Sequence, residues 1–242
     1  MNGIWYYMKR DMTKWLRSRI GVISLLVMPA AWLVFVGLAL PVTFTGNYLD
    51  FITPGILIMT MLASSMQGGA LLMFDRILGF LNKFLALPTP REDILFGKIL
   101  FITIRGVLQA TIILIVAVLI GATILSPLQY ATIYLILILF GIVLSGLATT
   151  VALYVGDHDS YAAVNTMISM PLFFTSSALM PYSVMPVWLR AIATVNPLSF
   201  AIDAIRSTGT TGMIPVFQIG ILAGLGIVVL AICMQVFRRM TV

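Results

Sequence analysis

ILFITIRGVLQATIILIVAVLIGATIL, residues 99–125, carries one charged side chain, Arg105. At 1.5 Å of rise per residue, a helix of this length is ~40 Å long, more than the ~30 Å hydrocarbon core of a bilayer. Residues 22–40, 51–74, 132–155, 162–180 and 216–237 have the same character. Composition agrees: 61% of residues are hydrophobic and 9% charged, where a soluble domain has roughly a quarter charged. The pattern predicts an all-α integral membrane protein, a single transmembrane domain over residues 1–242 with six transmembrane helices.

The positive charges set the orientation. Lys9, Arg10, Lys14, Arg17 and Arg19 precede the first stretch, Arg76, Lys83, Arg91 and Lys98 separate the second from the third, and Arg238 and Arg239 follow the sixth. Six crossings place these groups on one face, which the positive-inside bias makes cytoplasmic, with both termini. The net charge of +6 therefore reads as a topology and anionic-lipid signal, with no nucleic-acid partner. One cysteine, Cys233, permits no internal disulfide. Residues 1–19 are too polar for a secretory signal peptide.

That first segment has its own periodicity. Ile4, Trp5, Met8, Met12, Trp15 and Leu16 share one stripe at ~100° per residue, with Arg10, Asp11, Lys14 and Arg17 opposite. Trp and Met facing Lys and Arg predicts an interfacial amphipathic helix, a membrane anchor that leaves room for partner contact.

Residues 75–93 predict a second short helix. Ile77, Leu81, Phe84 and Leu85 recur at helical spacing, and Pro88 ends the helix near Leu87. Arg91-Glu92-Asp93 after Pro90 restarts one, with acids where the macrodipole favours them. Beyond the fifth stretch, residues 181–207 are too apolar for a solvated loop and too broken for a span. Irregular backbone at membrane depth survives only against protein or water. Asn196 suits an N-cap and Pro197 a first helical position. This stretch predicts an extracellular re-entrant helix pair with its corner at about residues 194–196.

The run from Gly79-Phe80 to Pro88, with Gly97-Lys98 following, resembles the coupling loop of type-2 ATP-binding-cassette (ABC) permeases, most of all their daunorubicin-resistance branch. Asn165, Pro171, Pro181, Met185-Pro186-Val187-Trp188-Leu189, and Asn196-Pro197-Leu198 through Asp203 and Arg206 resemble the second half of the same permeases. That branch often has an acidic residue mid-loop, where this chain has Asn82-Lys83. The resemblance implies a half-transporter of the plasma membrane, an exporter that pairs with a second copy and with a separate nucleotide-binding ATPase. It implies ATPase coupling through Gly79, Phe80, Lys83, Phe84, Leu87 and Pro88. It further implies an extracellular gate built from Pro181, Pro186, Trp188, Asn196, Pro197, Asp203 and Arg206.

No Gly-x-x-x-x-Gly-Lys-[Ser/Thr] loop occurs, so the chain itself is not expected to be an enzyme. ATP and Mg would be bound by the partner, with no cofactor in this chain. Intramembrane polar residues are Arg105, Gln109 and Asn165. Arg105 is expected to snorkel to the cytoplasmic interface, the alternative being a bundle-facing role. Asn165 suits a hydrogen bond across helices. Asp203 and Arg206, at i and i+3, can pair. Gly141 with Ser145, and Gly220 with Gly224, permit close helix packing. His158, in Asp157-His158-Asp159, lacks the companions of a metal site. An ion-coupled secondary transporter would need acids near span centres, and these spans have essentially none. An intramembrane enzyme would need a catalytic constellation that the sequence does not offer. Uncharged spans suit an amphipathic or lipid-like cargo: a drug, a lipid or a lipid-linked glycan.

Overall fold

Two helices meet at 89° at the start of the chain, α1 (Gly3–Arg17) and α2 (Arg19–Ala31), the latter continued by a π-helical turn at Trp32–Val36. The computed structural model describes residues 3–37, 48–85 and 90–240. Pro29 inside α2 has no amide to donate, and the π turn follows it. Next come α3 (Tyr48–Ile77), the short α4 (Phe80–Leu85), α5 (Arg91–Ile120), α6 (Pro127–Tyr154) and α7 (His158–Phe174). Last are a 3-10 turn at Tyr182–Val184, α8 (Val187–Val195), α9 (Pro197–Thr211) and α10 (Val216–Met240). Among the described residues there is no strand.

Four of these helices, α3, α5, α6 and α10, are each long and apolar enough to cross a membrane, and the bent α1–α2 pair is a fifth candidate. The sequence expects six spans over somewhat different limits. Residues 38–40 of the first lie outside the described residues. The third ends at Ile120, where Gly121 takes a positive φ of 121° that stops the helix. The fifth, expected to reach residue 180, stops at Phe174. There the backbone turns toward α9: the Ser177 amide donates to Ser199 Oγ at 3.1 Å, and Asn196 Nδ2 donates to the Leu172 carbonyl at 2.8 Å. At ~1.5 Å per residue, α7 is ~25 Å long.

α3, α5 and α6 form the centre, joined by α9. Ile56, Leu57, Met61, Ile113, Phe140 and Ile202 are fully buried there. In a bilayer, lipid tails are as apolar as these side chains, so close packing rather than exclusion from water holds the helices together. Small residues provide that closeness. A Cβ on Gly69 would stand 2.6 Å from the Ala148 carbonyl oxygen, so α3 and α6 approach as only glycine permits. Gly141 of α6 packs on Met61 and Thr103, and Ser145 Oγ lies 3.1 Å from Thr103 Oγ1. The second small pair behaves otherwise: Gly220 and Gly224 face open space. α10 rests on α6 through one face and exposes Phe217, Ile227, Val228 and Ile232.

α6 starts before the expected residue 132, for a reason written in the sequence. Ser126 Oγ accepts from the Gln129 amide, and Gln129 Oε1 accepts from the Ser126 amide, with Pro127 at the first helical position. Gln129 Nε2 also donates to the Thr208 carbonyl at 2.8 Å, tying α6 to the end of α9.

Candidate functional site

The face that α1 buries is rotated from the apolar stripe expected of it. Tyr7, Met8, Asp11 and Trp15 pack inward on α5, while Trp5 and Leu16 are exposed. A charge cluster explains the rotation. Asp11 is 5% exposed, Asp75 at the end of α3 6%, and Lys98 in α5 2%. Lys98 Nζ stands 2.8 Å from Asp11 Oδ2 and also pairs with Asp75. Arg10 Nε donates to Asp11 Oδ1 at 2.7 Å, and its Nη2 reaches Asp75 Oδ2 at 3.1 Å. Two cations and two carboxylates thus balance, and Coulomb attraction draws α1, α3 and α5 together. The close approach of α1 to α5 also needs Gly97, whose Cβ would stand 2.9 Å from the Ile4 carbonyl.

α4 hangs from this block. The sequence predicts one helix from Ile77 to Leu87, whereas Ile77 ends α3 and Gly79, with φ of 71°, makes the corner. Only glycine takes such a φ without strain. Phe84 turns inward: the Arg10 guanidinium sits 4.4 Å from its ring centroid, and Tyr7 meets it edge-on at 5.4 Å. Phe80 is 42% exposed, with Lys83 Nζ 5.3 Å from its ring. Of the six residues expected to couple, the structure therefore sets Phe84 in the packing between α4 and α1 and leaves Phe80 and Lys83 outside. Leu87 and Pro88 lie outside the described residues.

The opposite end of the bundle holds a second polar cluster. Asn196 caps α9, accepting from the Leu198 amide at 2.9 Å, while its Nδ2 also reaches Thr175 Oγ1 at 3.0 Å. Pro197 takes the first position of α9; Pro181 and Pro186 precede the 3-10 turn and α8. Asp203 accepts from Tyr182 Oη at 2.6 Å and Ser177 Oγ at 2.7 Å. Burial first, then the Asp203 carboxylate, raises the Tyr182 pKa, which keeps the phenol as donor. Arg206 lies 3.4 Å from Asp203, donates to the carbonyls of Ser177 (2.9 Å) and Phe51 (3.2 Å), and covers the Phe51 ring at 4.0 Å. The pair is thus one strand of a wider network. Trp188 stands apart from it, 65% exposed.

Arg105 corrects an expectation. It is 1% exposed and does not snorkel; its Nε donates to Ser64 Oγ at 3.2 Å and its Nη2 to the Ser64 carbonyl. The reason is local: Lys98, two turns earlier on α5, already takes the acids at the helix end, and Ser64 offers Arg105 acceptors inside the bundle. Gln109 is buried beside it on α5, its Nε2 without a partner among the described residues. Asn165 makes no bond across helices among the described residues; it accepts from Ser169 Oγ at 2.9 Å within α7. It lines an open cleft of about 410 Å3 between α3 and α7, with Met59, Met66, Gln67, Tyr161 and Met170. His158 is exposed at the start of α7 and stacks on Phe74, 5.0 Å between centroids. Among the described residues, no cluster of three metal-ligating side chains occurs.

Residues 2–209 match the family described as ABC-2 type transporter. The chain belongs to that family. It is similar to the transport permease ycf38 of Cyanophora paradoxa, 34% identical over 199 residues, covering 78% of this chain and 68% of that one. The ycf38 permease of Porphyra purpurea is 33% identical, with 75% of this chain aligned to 65% of the relative. The doxorubicin-resistance ABC transporter permease DrrC of Mycobacterium tuberculosis is 28% identical over 223 residues, 88% of this chain and 79% of that one. The chain is thus a multi-pass membrane permease.

Within this permease, sequence reasoning missed Asp11, Asp75, Tyr7, Ser177, Tyr182 and Ser199. Asp75 had a signal, since it closes an apolar stretch; Asp11 had none, because its periodicity sets it among the charged residues of α1. Tyr182 and the serines had none, because their partners lie on other helices.

Proposed function

We propose that this permease is the membrane half of an ATP-driven exporter in the plasma membrane. α2, α3, α5, α6, α7 and α10 are its six crossings, and α8 and α9 form a helix pair dipping in from outside. Both termini and α4 are cytoplasmic. A second copy pairs with it, and a separate ATP-binding-cassette ATPase, holding ATP and Mg, docks on α4. The observation that carries this reading is the block joining α1, α3, α4 and α5. Four charges and the Arg10–Phe84–Tyr7 stack link α4 to two long helices. A push on α4 is therefore transmitted to them. Phe80, left exposed, is the anchor that a partner groove would bury. The exposed face of α7, with Ala162, Ala163, Thr166 and Met167, suits contact with the second copy. The Met-lined cleft beside it suits an apolar or amphipathic cargo, because methionine adapts its shape.

Topology tests the frame. With Cys233 replaced, single cysteines at Lys83, Asn47 and Ser183 are probed in intact cells with an impermeant maleimide. Labelling is expected at Asn47 and Ser183 and absent at Lys83. Labelling at Lys83 with none at Asn47 would invert the proposed orientation.

A further inference from the structure

Under the elbow between α1 and α2 lies a cavity of about 480 Å3. Lys14, Asp11, Asp75, Lys98 and His158 line one part of it, and Trp15, Leu71, Phe74 and Leu78 form apolar wall. Arg105 also lines it, ~10 Å beyond Lys98 along α5.

The charges around this cavity do not balance. Arg10 and Lys98 are matched by Asp11 and Asp75. Lys14 and Arg105 have no carboxylate among the described residues. Lys14 is exposed, but Arg105 is buried. A guanidinium has five donors. Two sites on Arg105, Nε and Nη2, end on neutral Ser64 acceptors, and Nη1 bonds none of the described residues. Burying a cation without a counter-charge is costly. The low dielectric that makes it costly also strengthens its attraction for an incoming anion. A planar fork of donors fits a phosphate oxygen pair. Aromatic and aliphatic walls within the same cavity fit the apolar part of such a ligand.

We propose that this cavity binds a phosphate-bearing amphiphile, with Arg105 as the partner of its anionic group and Trp15, Phe74 and Leu78 against its apolar part. The inference rests on the exporter reading for its consequence in transport. Binding itself needs neither ATP nor a partner, so the two readings fail separately.

The test uses the full chain purified in detergent, titrated with phosphatidylglycerol, with phosphatidylcholine of the same acyl chains, and with glycerol 3-phosphate. Phosphatidylglycerol is expected to bind about tenfold more tightly than phosphatidylcholine, and Arg105→Gln to remove most of that preference. Lys14→Glu, at an exposed position, is expected to weaken it several-fold without touching the fold. Should Arg105→Gln fail to fold, Lys14→Glu and Gln67→Trp, which fills this cavity because Gln67 also lines it, carry the test. Equal binding of the two lipids by the wild type, or an undiminished preference in these variants, would overturn the proposal. Competition by glycerol 3-phosphate at the same concentration as phosphatidylglycerol would overturn the amphiphile, because the anion would then be recognised free.

Discussion

Lys98→Ala should destabilise the permease by about 3–5 kcal/mol, the usual cost of leaving a buried charge without its partner. Lys98 faces both Asp11 and Asp75. Without it, two buried carboxylates share only Arg10, and one negative charge is left over. Asp11 on α1 and Asp75 on α3 would then repel each other, so α1 should loosen from the bundle and α4 should lose the Arg10–Phe84 contact. The check is thermal unfolding in detergent, with membrane abundance as a second reading. Adding Asp75→Asn to Lys98→Ala restores the charge balance and should recover a large part of the loss. An unfolding temperature equal to that of the wild type would mean that water screens the cluster.

Asp203→Ala should cost about 2 kcal/mol: less than a fully buried charge, because the Asp203 side chain remains 32% exposed. Its loss removes the acceptor of Tyr182 and Ser177 and the only carboxylate paired with Arg206 among the described residues. Arg206→Ala removes a different set of bonds, to the Ser177 and Phe51 carbonyls. Because both singles break the same 3.4 Å pair, the double variant should be milder than the sum of the singles, yet well below wild type because the other bonds are separate. Unfolding temperatures of the four proteins measure the coupling. Strictly additive losses would dissolve the ion pair and leave two independent anchors.

The sequence shows most clearly what depends on one helix alone. Apolar length reveals α3, α5, α6 and α10, and Asn196-Pro197 marks the start of α9 because cap and first turn are local. The limits of α5 and α7 were less legible. Gly121 stops a run of apolar residues that continues past it, and α7 ends where its backbone is claimed by Ser199 and Asn196 from elsewhere. The rotation of α1 illustrates the same limit. Its periodicity places Asp11 on the wet side, yet two partners far along the chain, Asp75 and Lys98, share a cluster with it inside. Gly79 was visible in the α4 loop, but helical spacing on both sides of it concealed the corner. Arg105 shows how neighbours decide a charge's direction: Ser64, 41 residues away in sequence, provides the acceptors that keep it in the bundle.

In the exporter proposed above, α4 receives an ATPase and passes its motion into the bundle through α1, α3 and α5. The most direct measurement is co-purification of the tagged permease with its co-expressed ATP-binding-cassette ATPase, comparing wild type with Phe80→Asp. Wild type is predicted to retain the ATPase, and Phe80→Asp to lose it at unchanged unfolding temperature and membrane abundance, because the Phe80 ring is exposed and outside the charge cluster. Full retention of an active ATPase by Phe80→Asp, or no association with the wild type, would mean that α4 does not dock the ATPase.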